Sequence, residues 1–260
     1  MIKDYKVKIT ENRFISGITW LLKFKNKEIA EKAKPAHFIM VRPTAEYQYD
    51  PMMRRAFAIA DVVDDEIWIY YDVYGRGTKA LTEKKVGDEI EILAPLGKNL
   101  FPEKFDYYIL VGGGIGFAGL SYLMKKLRNE NKPFKAIYGV RRKQQLSMLD
   151  WIKENGFEND VIIYTEDGSY GEKGLVIRDL KELALENKNT VIFTCGPHGM
   201  MKAVDKIAKE INIPCYASLE SKMACGFGIC IGCVIKDVEK NSYVRVCYEG
   251  PVFDTYKIEL

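Results

Sequence analysis

Four of the chain's six cysteines follow one spacing: Cys225-x4-Cys230-x2-Cys233, with Cys247 after 13 further residues. That is the plant-type ferredoxin spacing, which suits a [2Fe-2S] cluster held by four thiolates. Zinc is the competing ligand, because four thiolates also complete a tetrahedral structural site. Structural zinc more often uses two CxxC knuckles, and this sequence has one, Cys230 to Cys233. The spacer residues Ala224, Gly226, Phe227, Gly228, Ile229, Ile231 and Gly232 are small, flexible or apolar. Glycines let the loop curl so that backbone amides point at sulfur. Cys195 and Cys215 lie outside the pattern and read first as small buried hydrophobes.

A second group of residues suits nucleotides. The apolar run 107–111 leads into Gly112, Gly113, Gly114, Ile115 and Gly116, and Gly114-x-Gly116-x-x-Gly119 satisfies a dinucleotide fingerprint. A strand that turns into a helix there offers free amides and a positive dipole end to a pyrophosphate. The plain alternative is a tight turn with no ligand. An acidic ribose partner is expected near residue 140, but Arg141 and Arg142 stand there, which points to a different topology from the standard Rossmann enzyme and leaves NADP open. Cys195-Gly196-Pro197 ends another strand-like run, at the edge where open α/β sheets bind ligands. His198 beside it reads as an exposed loop residue, and His37 as packing or loop. Arg54-Arg55-Ala56-Phe57-Ala58 and Gly75-Arg76-Gly77-Thr78 supply an arginine fork and a glycine-flanked turn, both suited to a second pyrophosphate, that of a flavin.

Three kinds of element must position these groups. Residues 1–101 carry short alternating strands, with Tyr5, Val7 and Ile9 between charges, an apolar run at 38–41, and an aromatic, β-branched run at 67–73. They predict an antiparallel β-barrel. In 102–215, strand-like runs at 107–111, 134–140, 161–164 and 190–194 alternate with helical periodicity, so a parallel α/β domain is expected. Leu120, Leu123, Met124 and Leu127 mark one helix face, and Met200, Val204, Ile207 and Ala208 another. Residues 216–260 form a small cysteine-rich domain in which a strand at 243–246 delivers Cys247. The fold class is therefore α/β plus β: an N-terminal antiparallel β-barrel, a parallel α/β domain and a small C-terminal cysteine-rich domain.

Composition narrows the alternatives. A chain with 47% hydrophobic and 29% charged residues can bury a core, which excludes a disordered or fibrous protein. A net charge of +3 without a basic stripe gives nucleic acid no support as a partner. Tyr107 to Met124 is 18 residues free of charge, the lower edge of a membrane span, but its five glycines argue for strand and turn instead. The charged start MIKDYKVKITENRF has no apolar export segment, so the chain is expected in the reducing cytoplasm, where three thiols in nine residues hold metal rather than disulfides.

The whole chain resembles the ferredoxin-reductase superfamily and, within it, the electron-transfer subunits of dihydroorotate dehydrogenase B. The pieces that carry the resemblance are Leu93-Ala94-Pro95-Leu96-Gly97, Val111 to Gly116, Asp167-Gly168-Ser169-Tyr170-Gly171, Cys195-Gly196-Pro197, the Met223 to Cys233 loop and Val246 to Phe253. The resemblance implies an FAD-binding barrel, an NAD-binding domain and a [2Fe-2S] domain that docks on an FMN-containing dihydroorotate dehydrogenase catalytic subunit, commonly as a heterotetramer of two plus two. It maps the first FAD segment onto Arg55, Ala56, Phe57 and Ala58, where the proline and serine typical of the family are absent. It maps the second onto Tyr70, Tyr71 and Asp72, with Asp72 in place of a basic residue, and the third onto Gly77 and Thr78. Gly112, Gly113, Gly114, Gly116, Cys195, Gly196 and Pro197 fall to NAD, and Cys225, Cys230, Cys233 and Cys247 to the cluster. The implied activity carries electrons from dihydroorotate, through the partner's FMN, the cluster and FAD, to NAD+ in pyrimidine biosynthesis. Hydride transfer itself demands no side-chain acid or base. Two other readings stand beside it: the flavin subunit of a sulfhydrogenase or of an NADH-dependent ferredoxin:NADP oxidoreductase, and a non-catalytic iron-sulfur scaffold.

Overall fold

The computed structural model describes residues 2–44, 48 and 50–260. Alternating burial in the first strand, with Tyr5, Val7 and Ile9 inside, starts an antiparallel sheet. Its strands are β1 (Lys3–Ser16), β2 (Thr19–Lys25), β3 (Phe38–Val41), β4 (Arg55–Ala58), β5 (Asp61–Val63), β6 (Glu66–Asp72) and β7 (Glu89–Leu96), in the order β4-β3-β7-β1-β2-β6-β5. A register shift between Ile9 and Glu11 bends β1, so Lys3 to Lys8 pair with β7 and Ile9 to Ser16 with β2. That bend curls the sheet into a barrel. It closes over Val7, Ile9, Phe24, Ile39, Ile69 and Ile92, while Phe57 of β4 meets Tyr71 of β6 with ring centroids 5.7 Å apart.

The next strands are β8 (Tyr107–Gly113), β9 (Phe134–Val140), β10 (Val161–Thr165), β11 (Glu172–Lys173), β12 (Thr190–Cys195) and β13 (Cys215–Ser218). A two-stranded ribbon of β14 (Val234–Asp237) and β15 (Ser242–Arg245) follows, and β16 (Val252–Asp254) comes last. The second sheet runs β11-β10-β9-β8-β12-β13-β16, parallel except for the β13/β16 pair. Helix Ala118–Asn129 buries Leu120, Leu123, Met124 and Leu127, the face its periodicity predicts. In helix His198–Glu210 the buried face is Met201, Val204 and Ala208, with Met200 and Ile207 half-buried at its edges. The uncharged run 107–124 divides into β8, a tight turn and the first half of a helix, and among the described residues no helix is long and apolar enough to cross a membrane.

The cysteine-rich segment is stitched to this sheet, not appended to it. β13 pairs with β12 on one side and β16 on the other, and Leu219 N–H donates to Pro251 O at 2.9 Å. The strand expected at 243–246 is Ser242–Arg245, and Val246 opens a helical turn, Val246–Glu249, that carries Cys247.

His37 precedes β3, and its Nδ1 accepts from Lys34 N–H at 3.1 Å. Burial, followed by the charge of Lys34, pushes its imidazole down to about 4. The unfolded chain, with an ordinary imidazole near pH 6.5, therefore binds more protons as pH falls through the interval down to the folded value, and stability is lost on acidification. We expect the melting temperature to fall between about pH 7 and about pH 5, and a His37→Gln chain to lose less over the same interval.

Candidate cofactor sites

Two clefts meet where the barrel packs on the parallel sheet. The first, about 540 Å³, is lined by Arg55, Ala56, Phe57 and Ala58 of β4, by Tyr70, Tyr71 and Asp72 of β6, and by Thr78. The barrel curl brings β4 and β6 together although they are not neighbours in the strand order. Gly77 stands behind the wall: a Cβ there would lie 2.5 Å from Arg55 Nε. The Thr78 hydroxyl, expected to be offered to a phosphate, serves its own turn, accepting from Tyr74 N–H at 3.1 Å and donating to Gly75 O at 3.2 Å. Asp72 accepts from the Thr19 hydroxyl and from Tyr74 Oη at 3.2 Å.

The second cleft, about 760 Å³, opens at the carboxyl edge of the parallel sheet and is lined by Gly113, Gly114, Gly116, Gly196 and Pro197. Gly112 is buried at the end of β8, where a Cβ would come within 2.6 Å of the Phe117 ring. Cys195, grouped with the nucleotide residues by sequence, faces the first cleft instead, because the last residue of β12 points toward Gly119 and the barrel. Burial, then the charge of Glu220, pushes its thiol well above the ordinary range. Gly114 has φ +54°, and a four-residue 3-10 turn, Gly114–Phe117, feeds the helix. The exposed His198 is the first residue of its helix, with no loop before it except Gly196-Pro197.

Asp72, Tyr74, Ile115 and Glu220 line both clefts and form their common wall. Sequence reasoning missed Tyr74, Ile115 and Glu220. Glu220 follows β13, and an acidic residue at a strand end was the one signal that could have found it. Its carboxyl is solvent-accessible in the clefts yet crowded by protein, and burial, then the charge of Asp72, raises its pKa. Arg141 and Glu166 line the second cleft at the ends of β9 and β10. The acidic group expected near residue 140 thus stands one strand over.

The cysteine loop abuts the first cleft. Met223 lines that cleft, and a Cβ on Gly226, at φ +79°, would lie 2.5 Å from Met40 Cγ of β3. A Cβ on Gly228, at φ +92°, would meet Tyr248 at 2.8 Å, so both glycines are required by close approach. The thiols fall into pairs: Cys225 with Cys230, and Cys233 with Cys247, whose N–H donates to Cys233 Sγ at 3.4 Å. Burial opposes ionisation of Cys225, but the amides of Cys230, Phe227 and Ile229 aimed at its sulfur bring it down to about 6. Cys247 is pushed up to about 12, by burial and then by Cys233. Two pairs suit two irons with two thiolates each. One tetrahedral ion instead needs all four thiolates about one point.

A flavin-sized cleft on an antiparallel barrel, a nucleotide cleft on a parallel sheet and a four-cysteine loop beside them define a ferredoxin-reductase-type oxidoreductase. Comparison bears this out. The structure of an NADH-dependent reduced ferredoxin-NADP oxidoreductase superposes with TM-score 0.85 at 27% identity, over 97% of this chain and 89% of that one. Phthalate dioxygenase reductase, at 15% identity, shares the fold with TM-score 0.70 over 99% of this chain and 98% of that one. Residues 220–259 match the iron-sulfur cluster binding domain of dihydroorotate dehydrogenase B, and residues 110–206 the oxidoreductase NAD-binding domain.

Full-length relatives narrow the class further. An electron transfer subunit homolog of dihydroorotate dehydrogenase B (NAD(+)) from Aquifex aeolicus is 40% identical over 100% of both chains. The electron transfer subunit of the same enzyme from Caldanaerobacter subterraneus subsp. tengcongensis is 35% identical over 95% of each, and that of Fusobacterium nucleatum is 34% identical over 97% of each. The chain belongs to the family of dihydroorotate dehydrogenase B electron transfer subunits.

Proposed function

We propose that this chain is the electron-transfer subunit of an NAD+-dependent dihydroorotate dehydrogenase, acting in pyrimidine biosynthesis in the cytoplasm. It works with a catalytic subunit that holds FMN, in a heterotetramer of two plus two. The observation that carries the reading is the common wall of Asp72, Tyr74, Ile115 and Glu220: two clefts with one partition bring two redox rings together, and Met223 links the cysteine loop to the first of them. The cofactors are FAD, [2Fe-2S] and NAD; the cluster supplies single electrons, the nicotinamide a hydride, and the flavin interconverts the two.

The residues present fit these groups. Arg55 offers the guanidinium fork to the FAD pyrophosphate, Phe57 and Tyr71 pack the flavin ring, and Ala56, Ala58, Tyr70, Asp72, Gly77 and Thr78 complete that site. The amides of Gly113, Gly114 and Gly116 hold the NAD phosphates, while Gly112, Gly196 and Pro197 shape the turns and Cys195 closes the flavin side. Glu166 at the end of β10 suits the ribose hydroxyls of NAD and opposes a phosphate in their place. Cys225, Cys230, Cys233 and Cys247 ligate the cluster. The chain divides functionally near residues 101 and 215, with β13 and β16 joining the cluster segment to the NAD-binding sheet. The ferredoxin:NADP oxidoreductase reading keeps the same wiring with another partner.

Anaerobic purification with its neighbours, followed by an absorption spectrum and NADH oxidation with and without orotate, tests the proposal. Yellow flavin, acid-labile sulfide and orotate-dependent turnover with an FMN-bearing chain are expected; turnover with ferredoxin and NADP alone overturns it. Gly77→Ala drives a methyl into the Arg55 guanidinium and should weaken FAD binding about tenfold or more, the worth of one charge-assisted hydrogen bond. Fluorescence titration of the flavin-depleted chain measures this.

A further inference from the structure

We infer that Asp61 is a positioning residue for hydride transfer, its buried carboxylate locking the helix behind the glycine turn onto the barrel. The inference rests on the assignment of the two clefts to FAD and NAD. Asp61 opens β5, three residues after Ala58 in the wall of the first cleft, and its side chain is 1% exposed. It accepts from Lys125 Nζ at 2.8 Å, from Trp151 Nε1 at 2.9 Å and from Val62 N–H at 2.8 Å. Its neighbour Ala60 accepts from Ser121 Oγ at 2.6 Å. Ser121 and Lys125 are four residues apart on helix Ala118–Asn129 and share one face, so two consecutive barrel residues grip the helix at two points.

The grip acts close to both sites. Ala118 and Gly119, at the start of that helix, and Ile115 in the turn before it line the first cleft, while Gly114, Ile115 and Gly116 line the second. A tilt of the helix therefore moves the nucleotide turn relative to β4, which carries the flavin residues. An apolar contact would stabilise this junction as well as an ion pair does, but it fits at many angles, whereas directed bonds to one carboxylate fix one arrangement. Hydride transfer is sensitive to this, since misplacement by about 1 Å can cost about 100-fold in rate.

The test uses Asp61→Asn and Lys125→Met in the full, flavin- and cluster-loaded chain, mixed rapidly with saturating NADH. Flavin bleaching should slow about 10- to 100-fold and the flavin-nicotinamide charge-transfer absorbance should weaken, with flavin content and cluster EPR signal unchanged. Asp61→Glu should restore part of the rate, and the double variant should be no slower than the slower single one, because the two residues act as a unit. Unchanged bleaching and charge-transfer absorbance in both single variants overturn the inference, as does slowing that only tracks flavin loss. If NADH fails to bleach the unsubstituted chain, the cleft assignment itself falls, and this inference with it.

Discussion

A Cys233→Ser chain is expected to lose iron and acid-labile sulfide and to pass electrons from dihydroorotate to NAD+ at least about a thousandfold more slowly, since disturbing even the groups behind a metal ligand costs about 10- to 100-fold. A hydroxyl is a hard, protonated ligand at neutral pH where the cluster requires a soft thiolate. Cys233 has little room to adapt. It is 2% exposed and packs among Phe38, Leu93, Leu96 and Val246, with Cys247 N–H donating to its sulfur at 3.4 Å. Neither cleft includes it, so NADH oxidation by an artificial acceptor such as ferricyanide should persist. Iron and sulfide analysis, EPR and the two assays side by side check the result. Loss of both activities together would mean that the cluster loop holds up the flavin cleft as well as feeding it.

The second large effect is at Gly116. A methyl there would lie 2.5 Å from Gly196 Cα, 2.6 Å from Cys195 O and 2.6 Å from Gly196 N, all of them backbone. Gly196 answers from the other side: at φ +148°, its own Cβ would lie 2.8 Å from Gly113 O. The two turns that frame the second cleft thus meet backbone to backbone at Gly116 and Gly196. Gly116→Ala forces them apart, with an expected stability loss of about 1–3 kcal/mol from overpacking. NADH affinity should fall about 10- to 100-fold, because the amides that meet the phosphates move with the turn. Gly199→Ala, also beside the second cleft but with nothing within 4 Å of the added methyl, is the matched control and should change stability by no more than about 0.5 kcal/mol. NADH titration of the flavin spectrum and thermal scans of both variants measure the difference.

These two sites differ in how far the sequence revealed them. The cysteine spacing alone pointed to a [2Fe-2S] cluster, because ligand separation along a tight loop is a local property. The strand, glycine turn and helix at 107–129 were legible for the same reason: burial of β8 and the freedom of Gly114 are set within a few residues. The resemblance named the flavin segments, but their convergence depends on the curl of the barrel. That curl comes from a register shift in β1, a strand that contributes no residue to the lining of that cleft.

The tertiary structure decided the rest. Cys195 faces the first cleft because β12 lies between β8 and β13, and which face its last residue presents follows from strand register, which no local pattern records. Glu220 reaches the partition only because β13 adds to β12 across a long crossover, and Glu166 replaces the sought acidic residue because β10 neighbours β9. Asp61 would pass as an ordinary surface aspartate until Lys125 and Trp151, 64 and 90 residues away, close over it. The sequence determined which chemical groups the chain carries, since that is a matter of composition and short spacing. The fold decided which of them share a site, since contacts between distant residues are chosen by packing the two sheets and their helices into one body.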